Sequence, residues 1–244
     1  MLDSHVEGYM INGIDVKDGN TVFDVGANIG VFGVRMLQRG SKVKVFAFEP
    51  IPDIFEVLTA NSKKYDSKRL IPLNCGLSDT KGEATFTYYP HAPALSTSKP
   101  EMWDDDPNMF KNAVEGSMKN APKEMWYAKF VPSFLSGIMA KFLRSGGKEF
   151  TCQLRTISSV IDEYKVDKID LLKIDCEGAE LSVLLGLEDR HWPLVQQMVV
   201  EVHNTEGRLD TIKAMCLKHG ITNLIAQHES GFEDTKLVNL YAKR

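Results

Sequence analysis

The chain has 244 residues, 43% hydrophobic and 25% charged, which predicts a globular protein with one large core. Its formal net charge of −4 disfavours binding to nucleic acid or anionic membranes, and four scattered cysteines without a Cys-x-x-Cys pair argue against a zinc site or a disulfide framework. Without a signal-peptide pattern or an apolar run long enough to span a bilayer, we expect a soluble, cytoplasmic protein.

Short apolar runs alternate with helical patterns in the first part of the chain, and this alternation predicts a parallel α/β sheet. The predicted elements are a strand at 21–25, a helix from about Ile29, a strand at 43–48, a helix from about Asp53, a strand at 70–74 and a further strand at 83–89.

The alternation stops at a segment rich in proline, residues 90–148, which we interpret as a helical insertion within a single domain of residues 1–244. Apolar residues between Phe130 and Leu143 fall near one helical face. That face predicts either a helix packed on its own domain or a lid that acts as an acceptor-binding cap.

The α/β pattern then resumes with a strand at 169–174, a helix from about Ala179, a strand at 198–202, a helix at 208–219 and two strands at 221–226 and 237–242. The last two strands predict an antiparallel hairpin at the edge of a mostly parallel, Rossmann-like sheet of seven strands. This ending favours a methyltransferase sheet over an ordinary dinucleotide-binding one.

A glycine-containing turn over residues 24–30 follows the first strand and opens a helix. Gly26 and Gly30 would let the backbone approach a ligand closely, while the helix N-terminus would supply free amide donors. Dinucleotide sites carry a glycine where this turn has Asn28, and Asp24 would repel a diphosphate. The turn therefore favours a donor with an ammonium and a sulfonium, S-adenosylmethionine.

Glu49 stands at the end of the second strand, about twenty residues beyond the turn, where a carboxylate can accept both hydroxyls of a ribose. The stretch 74–79 follows the third strand and is positioned to contact an adenine edge; a plain turn is the alternative.

These motifs, with 170–180 (DLLKIDCEGAE), resemble those of the FkbM family of methyltransferases, and the stretches 86–91 and 199–209 resemble its members within or beside polyketide and nonribosomal peptide synthases. The resemblance implies a class I methyltransferase fold, S-adenosylmethionine as donor and usually O-methylation of hydroxyls on polyketides, peptides or sugars. Cys176 departs from the family's more common valine, with no functional consequence expected. The predicted cofactor-binding residues are Asp24, Gly26, Asn28, Gly30, Glu49, Pro50, Asn74, Cys75, Gly76, Ser78, Asp175 and Glu177.

Acceptor chemistry needs alignment of a hydroxyl and removal of its proton, a role that suits histidine near neutral pH. His203 and Glu201 share one face of a strand end, which predicts His203 as general base oriented by Glu201; a hydrogen-bonded structural pair is the alternative. His91 could line the acceptor pocket or lie in a surface loop.

Asp175 and Glu177 close another strand, where they could hold the donor's amino group. Asp175 and Glu201 are instead candidate ligands for a divalent cation that would lower the acceptor's pKa.

The expected partner is a small-molecule or carrier-protein-tethered acceptor, while the oligomeric state is not predicted. Three other functions remain open from sequence: N-methylation of an amine, a nucleotide-dependent oxidoreductase on the same fold, and a noncatalytic domain that docks a carrier protein.

Overall fold

The computed structural model describes residues 6–93, 96–99, 142–143, 145–228 and 236–244. The strands are β1 (Thr21–Val25), β2 (Lys44–Phe48), β3 (Leu70–Leu73), β4 (Gly76–Leu77), β5 (Gly82–Tyr88), β6 (Lys148–Arg155), β7 (Leu171–Ile174), β8 (Gln197–His203), β9 (Asn223–Gln227) and β10 (Leu237–Lys243). The α-helices are α1 (Val31–Leu37), α2 (Pro52–Tyr65), α3 (Ile157–Tyr164), α4 (Glu180–Leu185) and α5 (Arg208–Lys218).

Seven strands form the main sheet in the order β3-β2-β1-β7-β8-β10-β9. The first five of these are parallel, while β10 pairs antiparallel with both β8 and β9. The predicted mostly parallel sheet with a C-terminal antiparallel hairpin is therefore confirmed. Pro72 is tolerated because β3 is an edge strand, where a missing backbone N–H breaks no ladder.

The central strands are buried on both faces, which explains why they read as continuous apolar runs. On one face, the Phe23 ring packs on Phe46 and Phe48, with centroids 5.1 and 5.4 Å apart, in a core completed by α3, α4 and α5. On the other face, Val22 and Val45 join a core built with α1 and α2. The result is a three-layer fold with helices on both sides of the sheet.

A second, smaller sheet has the order β4-β6-β5 and lies between β3 and β7 in the chain. Its middle strand, β6, was not identified as a distinct element from the sequence. The alternation of Phe150, Cys152 and Leu154 carries the signal, but polar neighbours and half-exposed positions weaken it.

The proposed insertion, 90–148, lies mostly outside the described residues, as does most of the apolar stripe from Phe130 to Leu143. In the described part of the chain, none of the helices combines the length and apolar character that crossing a membrane requires.

Candidate functional site

A cavity of about 710 Å³ opens at the carboxyl ends of the parallel strands. Its walls include Val25 at the end of β1, Phe48 at the end of β2, Lys173 in β7 and Glu201 in β8. The volume lies within the roughly 300–1,000 Å³ of small-molecule sites, and ligands of parallel α/β sheets bind at this edge. The cavity is therefore the candidate active site.

Glycine is required at the first position of the turn between β1 and α1. Gly26 has φ of 74°, and a Cβ added to it would lie 1.7 Å from the Asp175 carbonyl oxygen. The ends of β1 and β7 therefore approach each other more closely than any side chain allows. Asn28 also has a positive φ, 49°, which its short polar side chain tolerates better than most.

Within the turn, the five N–H groups of residues 26–30 have partners inside the protein, so only the first turn of α1, from Val31 onward, could supply the free amide donors that the sequence predicts. Gly26 and Ala27 donate to the Phe48 carbonyl, Asn28 to the Glu49 carboxylate, Ile29 to the Asn28 side chain and Gly30 to the Ala27 carbonyl. The turn is held in shape before any ligand arrives. It has no amide left in this stretch to compensate the charge of a diphosphate.

Asp24 does not face the cavity as the sequence suggested. Its side chain is 0% exposed, and Oδ1 lies 3.2 Å from Nζ of Lys173, which is 4% exposed. Lys173 also donates to the Gly26 carbonyl at 3.1 Å. Burial lowers the pKa of Lys173, but Asp24 and Asp175 more than offset this and leave the pKa above its usual value. Asp24 and Lys173 form a buried ion pair beneath the turn.

Glu49 lies on the cavity wall and connects the turn to α2. One carboxylate oxygen accepts the Asn28 N–H at 3.1 Å and the other accepts the Ile51 N–H at 2.9 Å. Burial raises the pKa of Glu49 to about 7, although both hydrogen bonds oppose the rise. Each oxygen keeps a lone pair for a further donor, as ribose binding requires.

Two carboxylates on the cavity wall, Asp175 and Glu201, are here called the rim carboxylates. The Tyr9 hydroxyl lies 3.0 Å from Asp175 Oδ2 and 3.3 Å from Glu201 Oε2, so one phenol contacts both. Tyr9 is buried. The backbone just before Tyr9 is held by the Tyr241 hydroxyl, which donates to the Gly8 carbonyl. Sequence reasoning missed Tyr9 because nothing local relates residue 9 to strands more than 160 residues away.

His203 is 2% exposed and lies behind the cavity wall. Its Nε2 is 3.3 Å from Glu177 Oε2, and its Nδ1 is 3.1 Å from Glu180 Oε1. The sequence predicts that Glu201 orients His203. Among the described residues, both ring nitrogens of His203 instead contact other carboxylates. Glu201 turns instead toward Tyr9.

Most other predicted cofactor residues lie on the cavity wall: Pro50, Cys75, Gly76, Ser78, Asp175 and Glu177. Gly30 and Asn74 do not. The Asn74 side chain donates to the Glu49 and Pro50 carbonyls and so fixes the wall from behind.

His91 is exposed, lies off the wall and stacks on Phe142, with ring centroids 4.5 Å apart. The acceptor-pocket interpretation of His91 is therefore not supported by its position. Within the described ranges, the candidate metal ligands Asp175 and Glu201 are part of no cluster of three or more residues able to hold a metal ion.

A further part of the wall comes from the small sheet, through Ala84, Phe86 and Leu154, and from the segment 96–99, through Ser96, Ser98 and Lys99. Thr97 anchors this last segment: its backbone pairs with Thr87, and its hydroxyl donates to the Glu177 carbonyl at 2.8 Å. The small sheet thus adds an apolar surface to a cavity that also holds carboxylates.

Comparisons with known proteins agree with this geometry. A family profile described as "Methyltransferase FkbM domain" matches residues 24–220. The 31-O-demethyl-FK506 methyltransferase FkbM of Streptomyces tacrolimicus is 32% identical over 97% of this chain and 85% of its own length. The AMB antimetabolite synthetase AmbE of Pseudomonas aeruginosa is 35% identical over 98% of this chain, which spans only 11% of AmbE.

The crystal structure of the methyltransferase FkbM from Methylobacillus flagellatus superposes with a TM-score of 0.57 at 16% identity, over 95% of this chain and 45% of that one. This likeness supports the class I methyltransferase fold. The chain therefore belongs to the FkbM family and is a methyltransferase that depends on S-adenosylmethionine.

Proposed function

We propose that this methyltransferase acts on a hydroxyl group of a polyketide, a peptide or a related small acceptor, free or tethered to a carrier protein. The proposal depends on one observation above all. The cavity presents four carboxylates, on Glu49, Asp175, Glu177 and Glu201, beside a turn without spare amides in residues 26–30. Such a site suits a ligand with positive charge and hydroxyls better than one with phosphates.

The residues present fit S-adenosylmethionine, which supplies an electrophilic methyl group on a positively charged sulfur. Glu49 would accept the ribose hydroxyls, and the 75–78 stretch would contact the adenine. The rim carboxylates would hold the ammonium group, with Tyr9 keeping them apart and in place. Lys173 pairs with Asp24 and also lies 3.4 Å from Asp175, so it compensates the carboxylate beneath the turn and offsets part of the charge on the wall.

The acceptor would lie against the apolar wall formed by Ala84, Phe86 and Leu154. A hydrophobic surface beside polar groups can hold an aliphatic skeleton while its hydroxyl reaches the carboxylate side of the cavity. The chain's main catalytic task is then alignment, because in-line transfer needs the acceptor oxygen close to the methyl carbon.

The relatives support the substrate class. The name of the Streptomyces tacrolimicus enzyme specifies methylation at a 31-O position of FK506, which favours oxygen over nitrogen as the acceptor atom. The similar segment of AmbE belongs to a synthetase, which favours an acceptor carried on an assembly line. An amine acceptor is the second candidate, since carboxylates would also accept a proton from an ammonium group.

The test has two stages. Isothermal titration with S-adenosylhomocysteine and with NAD should show binding of the first alone; binding of NAD alone would overturn the donor assignment. The protein is then incubated with labelled donor and matched hydroxyacyl and aminoacyl compounds, free and carrier-tethered, with and without EDTA. Mass spectrometry should locate the new methyl on oxygen, and exclusive methylation of nitrogen, or no product with any acceptor, would contradict the proposal.

A further inference from the structure

A chain of four polar side chains leads from the cavity into the protein. Glu177 lies on the cavity wall; behind it come His203 at the end of β8, Glu180 at the start of α4 and Arg208 at the start of α5. The successive contacts are 3.3 Å from Glu177 to His203, 3.1 Å from His203 to Glu180 and 3.2 Å from Glu180 to Arg208. Negative and positive groups alternate along the whole chain.

The backbone at Glu177 is held in an uncommon conformation. Its φ of 48° lies in the left-handed region, which a non-glycine residue adopts at an energetic cost. Two contacts stabilise it: Thr97 donates its hydroxyl proton to the Glu177 carbonyl at 2.8 Å, and the Gly178 N–H donates to Glu180 Oε1 at 2.6 Å. The structure therefore fixes this carboxylate at the cavity wall at the expense of local strain.

His203 is poorly placed to remove a proton from an acceptor. Both ring nitrogens contact carboxylates, and the ring is buried behind the wall. Burial lowers the pKa of His203, but the hydrogen bonds and charges of Glu177 and Glu180 more than offset this and hold the pKa well above its usual value. An imidazolium that carries both N–H protons has no lone pair with which to act as a base.

We propose that Glu177 is the catalytic residue that accepts the proton of the acceptor hydroxyl, and that His203, backed by Glu180 and Arg208, is a positioning residue for it. The inference rests on the proposed function, since it needs a hydroxyl in the cavity. As the acceptor oxygen bonds to the methyl carbon, the carbon–sulfur bond breaks with its electron pair left on sulfur, and the hydroxyl proton moves to the Glu177 carboxylate. Atoms and charge balance without a further reactant.

The surroundings of Glu177 suit this role. Burial raises its pKa, with Asp175 and Glu180 adding to the rise and His203 opposing it. A base whose pKa is raised toward the working pH is a more effective proton acceptor than an ordinary glutamate. The hydrogen bond and charge of His203 favour the ionised form of this carboxylate against the effect of burial.

The first test compares Glu177→Gln with wild type and with Glu206→Gln, a control at an exposed glutamate of the loop after β8 whose φ of 55° is also left-handed. Glu177→Gln should lower kcat by about 10²–10⁴-fold, the usual contribution of general-base catalysis, while the affinity for S-adenosylhomocysteine measured by calorimetry changes less than about threefold. The control should match wild type. A Glu177→Gln kcat within about threefold of wild type would overturn the inference.

The second test addresses positioning through His203. In His203→Asn, the pKa of Glu177 should rise, because the cation that lowers it is gone. The rising limb of the kcat–pH profile should therefore move to higher pH. Independently of activity, ¹⁵N NMR of the imidazole should show His203 protonated well above pH 6.5 in wild type and at a lower pKa in Glu177→Gln. A His203 that is neutral at pH 7 in wild type would refute the arrangement.

Failure of this inference is distinguishable from failure of the proposed function. If wild type binds no donor and forms no product, the proposed function fails. If wild type and Glu177→Gln methylate a hydroxyl equally well, only the base assignment fails.

Discussion

The buried pair of Lys173 and Asp24 makes a quantitative prediction about stability. Lys173→Met keeps the length of the side chain but removes Nζ, which lies 3.2 Å from Asp24, 3.4 Å from Asp175 and 3.1 Å from the Gly26 carbonyl. Asp24 is 0% exposed and would lose its compensating charge. Breaking one partner of a buried pair costs about 3–5 kcal/mol, which corresponds to a drop in Tm of about 6–20 °C at this chain length.

The assay is thermal and urea unfolding of Lys173→Met, of Asp24→Asn/Lys173→Met and of the control Lys213→Met. The Lys213 ammonium lies 4.0 Å from the largely exposed Asp210 carboxylate, so its removal should change little. The double variant should recover part of the loss, since an amide is cheaper to bury than an unpaired carboxylate.

The loss of stability in Lys173→Met should also depend on pH, in a direction set by the pKa of Asp24. Burial raises the pKa of Asp24, and without Lys173 the protonated form becomes the stable one in the folded state. The penalty in Lys173→Met should therefore be small below about pH 4, where Asp24 of the unfolded chain also becomes protonated, and should grow as the pH rises. A loss below about 1 kcal/mol at pH 7, or one that is independent of pH, would refute the reasoning.

Three further changes test the cavity. Tyr9→Phe removes the hydroxyl between the rim carboxylates and should weaken S-adenosylhomocysteine binding about 5–30-fold in calorimetry with little change in Tm; unchanged affinity would contradict its role. Because Glu49 has a pKa of about 7, donor affinity should rise between pH 6 and pH 8 as its carboxylate ionises, and Glu49→Gln should abolish this dependence. Gly26→Ala places a Cβ 1.7 Å from the Asp175 carbonyl oxygen and should lower stability by several kcal/mol in urea unfolding, whereas Gly82→Ala, with nothing within 4 Å, should be tolerated.

The main sheet could be predicted because its strands carry strong local signals. The runs at β1, β2, β7 and β8 are apolar and bounded by turn residues, and their parallel direction follows from the alternation with helices. Strand β6 lacks such a signal because half of its positions are exposed. The small sheet, and with it the apolar part of the cavity wall, is therefore not predictable from the sequence.

The residues of the candidate site also divide into those with a local sequence signal and those without one. Gly26 and Glu49 were found because each stands at a fixed distance from a strand end. Which carboxylate faces the cavity was not predictable, since that depends on long-range partners. Lys173 neutralises Asp24, and Tyr9 contacts Glu201 from the other end of the chain.

The occupied amides of residues 26–30 bear on how the enzyme would discriminate against ATP and NAD. These nucleotides share the adenosine portion of the methyl donor and would compete for the same surface. A phosphate placed against residues 26–30 would be desolvated there without a hydrogen-bond partner, which costs binding free energy. Residues 26–30 would then disfavour these competitors by withholding hydrogen bonds, with no need for a residue that clashes with them.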